Sequence, residues 1–154
     1  SKSELDNFFL RVGPEVLSKK FNFKYLKRKL IDKEKNIKNI LLDQKFVSGI
    51  GNIYSNEILF YCKIHPNRIG FKITNKDIKK IILFSRFVIK KAIKYGGSTI
   101  RDFRSTKGSI GSFQSEFCVY NRESKNCLRN GCNGKIIKKF ISNRSCFFCN
   151  SCQK

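Results

Sequence analysis

The most regular hydrophobic pattern in the chain runs from Thr74 to the glycines at 96 and 97. Thr74 and Asp77 have the spacing of a capping box, which predicts where a helix begins. The pair Gly96-Gly97 predicts where it ends. Between these signals, apolar or small side chains recur every three or four residues and form one stripe: Ile78, Ile81, Ile82, Ser85, Ile89, Ala92 and Ile93. We therefore predict a long amphipathic helix whose stripe packs into the core.

Two shorter helices are predicted nearer the N-terminus. The segment Gly13-Pro14-Glu15 puts proline at a first helical position and an acid in the first turn, which predicts a short helix extending to about Lys20. A second helix is predicted over Phe21–Ile31, with Phe23, Leu26 and Leu30 on one face. The polar run Asp32–Lys38 then predicts a charged break between helices.

The stretch Asn39–Phe60 contains two apolar runs of helical period on either side of a Gly-Ile-Gly-Asn sequence. Gly49 and Gly51 allow a tight turn, and Asn52 stands where the N-cap of the second helix is expected. That helix is expected to end near Pro66. A helix that begins at this turn would present free backbone N–H groups to an anion such as phosphate. A plain helical hairpin with a glycine turn explains the same residues equally well.

The character of the chain changes after Ser98. Residues 101–115 are polar and rich in glycine and serine, and six of the seven cysteines follow them. The segment Lys135–Phe140 alternates as a β-strand does, and Ser142-Asn143-Arg144 predicts a turn into a second strand, Ser145–Phe148. We therefore expect a mainly α fold with a helical domain over residues 1–106, of which 1–13 form a linker. A second unit over 107–154 would contain a loop and a β-hairpin.

The cysteines near the C-terminus have the spacing of a metal site. Cys127 and Cys132 form a C-x₄-C pair, and Cys149 and Cys152 form a C-x₂-C pair on the other side of the predicted hairpin. Four thiolates suit one tetrahedral, structural Zn²⁺ ion with no open coordination position. The odd cysteine count and the absence of a signal-peptide pattern argue against disulfides. Cys146 also forms a C-x₂-C pair with Cys149, so Cys146 could be the fourth ligand in place of Cys152.

Charge indicates the kind of partner. The 154 residues have a formal net charge of +22 at pH 7, while 40% of them are hydrophobic, as in globular proteins. An excess of cations this large favours a polyanionic partner, with nucleic acid as the first expectation. An AT-rich genome, which inflates the lysine content, or an anionic membrane surface would explain the charge in other ways. No apolar run approaches the ~18 residues of a transmembrane helix.

Several motifs occur in an order that resembles one family. They are Gly49–Phe60 (GIGNIYSNEILF), Lys63-Ile64-His65-Pro66, Arg101-Asp102-Phe103, Gly111–Ser124 and the cysteine pairs around Asn143-Arg144-Ser145. The series is similar to the C-terminal half of formamidopyrimidine-DNA glycosylase, a bacterial repair enzyme that removes oxidised purines. The resemblance covers nearly the whole chain, from about Val12 to Cys152. It implies a helix–two-turns–helix DNA-binding domain followed by a small zinc-finger β-hairpin.

The resemblance also implies which residues contact DNA. Asn52 matches the asparagine of the family's G-x-G-N motif, which holds a phosphate beside the flipped nucleotide. Lys38 resembles a lysine that reaches the DNA backbone near the lesion, and Arg144 matches the zinc-finger arginine that grips a phosphate. The loop from about Ser105 to Phe113 corresponds to the segment that closes over an extruded base. The C-x₄-C spacing departs from the family's usual C-x₂-C.

The resemblance assigns no catalytic residue to this chain. The family's nucleophile is an N-terminal proline amine, whereas Pro14 and Pro66 are internal. We therefore expect the DNA-binding half of a glycosylase and AP lyase, monomeric and in a bacterial cytoplasm. It would bind double-stranded DNA with an oxidised base or an abasic site and have no activity alone. The alternatives are a non-enzymatic nucleic-acid-binding protein, such as a ribosome-associated or architectural one, and a zinc module that binds protein.

Overall fold

A computed structural model describes residues 12–96 and 117–154. The described parts contain four α-helices, one 3₁₀ turn and one two-stranded antiparallel sheet. The elements in chain order are α1 (Phe23–Leu30), α2 (Ile37–Leu42), α3 (Asn52–Cys62), the 3₁₀ turn Gly70–Lys72, α4 (Asn75–Lys94), β1 (Ile136–Ile141) and β2 (Arg144–Cys149). The mainly α class with a C-terminal hairpin is confirmed. The expected domain boundary near residue 106 and the loop at 105–113 lie outside the described residues.

Helix α4 begins and ends as its sequence predicts. Thr74 accepts a hydrogen bond from the backbone N–H of Asp77, and the Asp77 carboxylate accepts one from the N–H of Thr74, which completes the capping box. Gly96 follows the last turn with a φ of 90°. Four residues of the predicted stripe are buried (Ile78, Ile81, Ser85 and Ala92), and Ile82 and Ile89 are half-buried. At its end Ile93 is 63% exposed, and Val88 is buried instead. Val88 continues the helical period of the buried face, and Ile93 lies beyond its edge.

The predicted helix from Pro14 to Lys20 is wrong. This segment makes turns and pairs with the loop between α2 and α3: the Gly13 N–H donates to Gln44 O at 2.7 Å, and the Ser48 N–H donates to Pro14 O at 3.0 Å. A Cβ on Gly13 would lie 2.4 Å from the carbonyl oxygen of Phe46, so only glycine allows this approach. The backbone bonds that a helix would use are therefore made with another segment.

Helices α1 and α2 are near their predicted positions. Asn22 caps α1 by accepting the N–H of Tyr25, and Leu26 and Leu30 are buried, as expected. The charged break is shorter than predicted, because Asn36 caps a helix that already begins at Ile37. That helix ends at Leu42.

Helix α3 is the centre of the molecule. It packs against α2, α4 and strand β2. Nine of its eleven residues are buried. Two groups of buried apolar residues meet at its C-terminal end, one among the helices and one under the hairpin. The group under the hairpin consists of Phe60, Val119, Cys127, Ile136, Phe147 and Cys149. No helix in the described ranges is long and apolar enough to cross a membrane.

The hairpin is confirmed, with each strand end within one residue of its predicted position. Ile136 pairs with Cys149 and Ile141 with Arg144. The turn residues Ser142 and Asn143 both have positive φ, 53° and 64°, as two-residue turns that match the twist of the strands require.

Candidate nucleic-acid interface and metal centre

Asn52 lies at the start of α3 but does not cap it. Gly51 is the N-cap residue and Asn52 is the first helical residue, so the predicted capping role is wrong. The Asn52 side chain points to the hairpin, where its Nδ2 donates to the carbonyl oxygen of Ser145 at 3.1 Å. Its Oδ1 is one of two buried side-chain polar atoms without a hydrogen-bond partner in the described part of the chain. Such atoms are rare, and an amide oxygen can only accept a hydrogen bond, so a phosphate oxygen could be bound by the Nδ2 of this side chain but not by its Oδ1.

The carbonyl oxygen of Ser145 joins the helices to the hairpin. Lys38 Nζ donates to it at 2.9 Å, and Asn56 Nδ2 approaches it at 3.5 Å beside the bond from Asn52. Asn56 also accepts the N–H of Phe147 through Oδ1 at 3.1 Å. Helices α2 and α3 therefore hold strand β2 through polar side chains that converge on one backbone segment.

Lys38 is fully buried beneath the hairpin. Burial lowers the pKa of its ammonium group, an effect that the neighbouring Cys146 thiol opposes and the Arg144 guanidinium reinforces. The sequence places Lys38 in a charged run, which favours a solvent-exposed side chain. It is buried because Ile37, Ile40 and Leu41 of the same short helix also face the core.

Arg144 is the first residue of β2 and is exposed at the hairpin turn. It directly precedes Ser145, the residue to which both Lys38 and Asn52 are bonded. The structure thus brings together Lys38, Asn52 and Arg144, which come from three separate parts of the sequence. Among the described residues, one salt bridge joins a cationic side chain to a carboxylate, that of Arg68 with Asp77. Within these ranges, few of the positive side chains are therefore paired with a described acid.

The four cysteines predicted as metal ligands lie together. Their sulfur atoms are all within 4.8 Å of one another, with 3.9 Å between Cys127 and Cys152 and 3.7 Å between Cys132 and Cys149. A tetrahedral Zn²⁺ with Zn–S bonds of about 2.3 Å requires sulfur separations of about 3.8 Å. The donor set and its spacing therefore fit a four-thiolate zinc site.

Cys146 does not belong to this group. It is three residues before Cys149, so the two side chains leave opposite faces of the strand. The Cys146 thiol is buried against Lys38, and burial raises its pKa. At Cys149 burial also acts to raise the pKa, but hydrogen bonds from the backbone N–H groups of Cys152 and Ser151 and from the thiols of Cys152 and Cys132 together lower it to about 7. The choice of Cys152 over Cys146 agrees with this geometry.

Glu57 is a buried acid to which the sequence analysis assigned no role. Its carboxylate accepts three successive backbone N–H groups, from Cys118 at 2.6 Å, Val119 at 3.0 Å and Tyr120 at 2.9 Å. Burial raises the pKa of this carboxyl, and the three N–H donors oppose the shift. The one signal in the sequence is an acid inside an apolar helical run. Glu57 thereby attaches the start of the second described segment to α3.

Comparisons with known proteins show what the chain is similar to. The formamidopyrimidine-DNA glycosylase H2TH domain matches residues 12–104. The formamidopyrimidine-DNA glycosylases of Rickettsia bellii (strain OSU 85-389) and Haemophilus influenzae (strain ATCC 51907 / DSM 11121 / KW20 / Rd) are 42% and 41% identical to it, over 96% and 97% of this chain. The chain covers 54% and 55% of those two proteins, so it spans about half their length.

Solved structures agree with the sequence comparison. The Lactococcus lactis enzyme in a complex with DNA containing an abasic site superposes with a TM-score of 0.87 at 35% identity. That match covers 100% of this chain and 56% of the other. The same enzyme with DNA containing FAPY-dG gives a TM-score of 0.85 at 34% identity, covering 100% of this chain and 56% of the other.

Proposed function

The chain belongs to the formamidopyrimidine-DNA glycosylase family, and we propose that it is the DNA-binding half of a base-excision-repair glycosylase and AP lyase that removes oxidised purines. Its ligand is double-stranded DNA that contains an oxidised base or an abasic site. The relatives of solved structure are bound to DNA of this kind, which supports the assignment.

One observation carries the proposal: Asn52 and Lys38 converge on the residue next to Arg144. Asn52 Nδ2 has two N–H bonds, and Ser145 O occupies one of them. The other N–H and the backbone N–H groups of Asn52 and Ile53 can take phosphate oxygens, since the first N–H groups of a helix have no partner within it. Arg144 is exposed beside them and can grip a neighbouring phosphate with its planar fork of donors.

Lys38 acts differently from the other two residues. Its ammonium is covered by the hairpin and bonded to Ser145 O. Its contribution to DNA binding is therefore to hold the backbone that carries Arg144 and to add positive charge beneath it. This differs from the direct backbone contact that the family resemblance implies for Lys38.

A Zn²⁺ ion would be held by Cys127, Cys132, Cys149 and Cys152. When bound, it supplies structural cross-linking and no catalytic chemistry, since four thiolates leave no position for water. The cluster of buried residues under the hairpin is small, so the ligands would help to hold the hairpin that contains Arg144 in place.

The 154-residue chain alone binds this DNA and does not cut it. Both of its prolines are internal, and the family's nucleophile is an N-terminal proline amine. Cleavage in the full enzyme would then depend on residues outside this chain.

The test is to measure the binding of the chain to duplexes with and without an abasic-site analogue over a range of salt concentrations. We expect tighter binding to the abasic duplex and an affinity that falls steeply with salt as counterions are released. Incubation with a natural abasic site and borohydride should trap no covalent adduct. Absence of DNA binding would overturn the proposal, and a trapped adduct would overturn its claim about catalysis.

A further inference from the structure

Every sulfur of the cysteine group accepts an N–H hydrogen bond, and at Cys152 the donor is a side chain. Cys127, Cys132 and Cys149 each accept the backbone N–H of the residue two positions later, in every case at 3.4 Å. The corresponding residue for Cys152 is Lys154, whose N–H donates to Lys63 O instead. The sulfur of Cys152 accepts a bond from the side-chain Nε of Arg129, also at 3.4 Å.

The same guanidinium also contacts helix α3. Its Nη2 donates to the carbonyl oxygen of Phe60 in the last turn of α3. The guanidinium carbon lies 4.3 Å from the centre of the Phe60 ring, which is a close cation–π contact. A cation at a helix C-terminus is favourable because the carbonyl groups there have partial negative charge.

From these contacts we infer that Arg129 is a positioning residue of the metal centre, completing the hydrogen bonding of the Cys152 thiolate and tying the centre to α3. The inference rests on the proposed zinc site. A Zn²⁺ with four thiolates has a net charge of −2, and Arg129 neutralises part of it at the one ligand that receives no N–H from the residue two positions later. A hydrogen bond to a thiolate also withdraws electron density from the sulfur, which makes the ligand less open to attack by protons and electrophiles.

Arginine suits this position because its fork points different N–H groups at different acceptors. Nε donates to sulfur and Nη2 to a carbonyl, while the planar group stacks on a ring. A lysine has the charge, but its three donors share one nitrogen, so it cannot place separate nitrogens at the two acceptors while a planar group stacks on the ring. Arg129 lies between the two cysteines of the C-x₄-C pair.

The experiment loads the whole 154-residue chain with Co²⁺, whose sulfur-to-metal charge-transfer band reports thiolate ligation. For Arg129→Met we expect a shift of this band, about 10- to 100-fold weaker Co²⁺ binding and faster metal loss to a chelator. Arg129→Lys should restore only part of the affinity. Arg122→Met is the matched control: Arg122 is in the same module and donates to backbone oxygens of Cys118 and Asn126, not to sulfur.

The outcomes separate this inference from the zinc proposal. If the unaltered chain shows no thiolate band with Co²⁺, the metal centre itself is wrong, and the inference fails with it. If the unaltered chain binds Co²⁺ and Arg129→Met has the same band, affinity and release rate, only the inference on Arg129 fails. A lower unfolding temperature with unchanged Co²⁺ behaviour would likewise overturn it, since Arg129 would then support only the packing on Phe60. An equal effect of Arg122→Met would also overturn it.

Discussion

The ammonium of Lys38 donates a hydrogen bond to the carbonyl oxygen of Ser145 at 2.9 Å, although the two residues are 107 positions apart. Lys38 belongs to the second helix and Ser145 to the last strand, so this bond joins the helical part to the hairpin. Ser145 follows Arg144, which is exposed. The buried ammonium of Lys38 thus helps to position the exposed guanidinium of Arg144.

Replacing Lys38 with methionine tests this link. Methionine fills a similar volume without the charge, so removal of the desolvated ammonium offsets the loss of the bond, and we expect stability to change by less than about 2 kcal/mol. Affinity for abasic DNA should fall severalfold, because Arg144 loses its support. Denaturant unfolding and DNA titration measure the two effects. Unchanged DNA affinity would contradict the proposed role.

The pH dependence of the same variant gives a second readout. Burial lowers the pKa of Lys38 from its usual 10.5, so the unfolded chain binds more protons than the folded chain in the window just below 10.5. At lower pH the buried, charged ammonium of Lys38 destabilises the folded chain. This destabilisation disappears as the pH rises through that window. We therefore expect the unfolding free energy of the natural chain to rise relative to that of Lys38→Met as the pH is raised. A flat difference would contradict this.

The proposed phosphate contacts predict separate losses. Arg144→Ala should weaken binding to all duplexes and reduce the slope of log affinity against log salt by about 1. Asn52→Ala should weaken binding without changing that slope as much, because asparagine has no charge. Matched controls are Arg28→Ala, an exposed arginine on α1, and Asn75→Ala, an exposed asparagine at the first position of α4. Normal binding by both test variants would remove the site assignment.

The buried carboxylate of Glu57 predicts a stability effect. In Glu57→Gln, one carboxylate oxygen becomes an NH₂ group that faces backbone N–H donors, so at least one of the three hydrogen bonds is lost. We expect destabilisation of about 1–3 kcal/mol by denaturant unfolding. The exposed Glu123→Gln should change stability far less. Equal stability of both variants would show that the three N–H groups find other partners.

The metal ligands can be distinguished by a pair of cysteine variants. Cys149→Ser should abolish stoichiometric zinc, since its sulfur is one of the four that lie within 4.8 Å of one another. Cys146→Ser should retain zinc near one ion per chain, because its side chain leaves the opposite face of the strand and lies beside Lys38. Elemental analysis of the purified proteins measures this. Zinc loss in the Cys146 variant alone would reverse the assignment.

Much of the local structure could be predicted without coordinates. The capping box of Thr74 and Asp77, the hairpin turn at Ser142-Asn143 and the pairing of Cys127 with Cys132 depend on groups a few residues apart. Such features follow from hydrogen bonds and turn preferences that a short stretch of chain contains. The wrong helix at Pro14 failed for the opposite reason, since its backbone bonds are made with the loop that follows α2.

The sequence by itself therefore determined most of the helices and strands, the candidate metal ligands and the family. The three-dimensional packing decided that Lys38 is buried, that Asn52 faces the hairpin instead of capping α3, that Cys146 is excluded from the sulfur group and that Glu57 holds three backbone N–H groups. Each of these depends on which distant segment covers a side chain. Burial and long-range hydrogen bonds arise only when the chain closes on itself, so no local pattern records them.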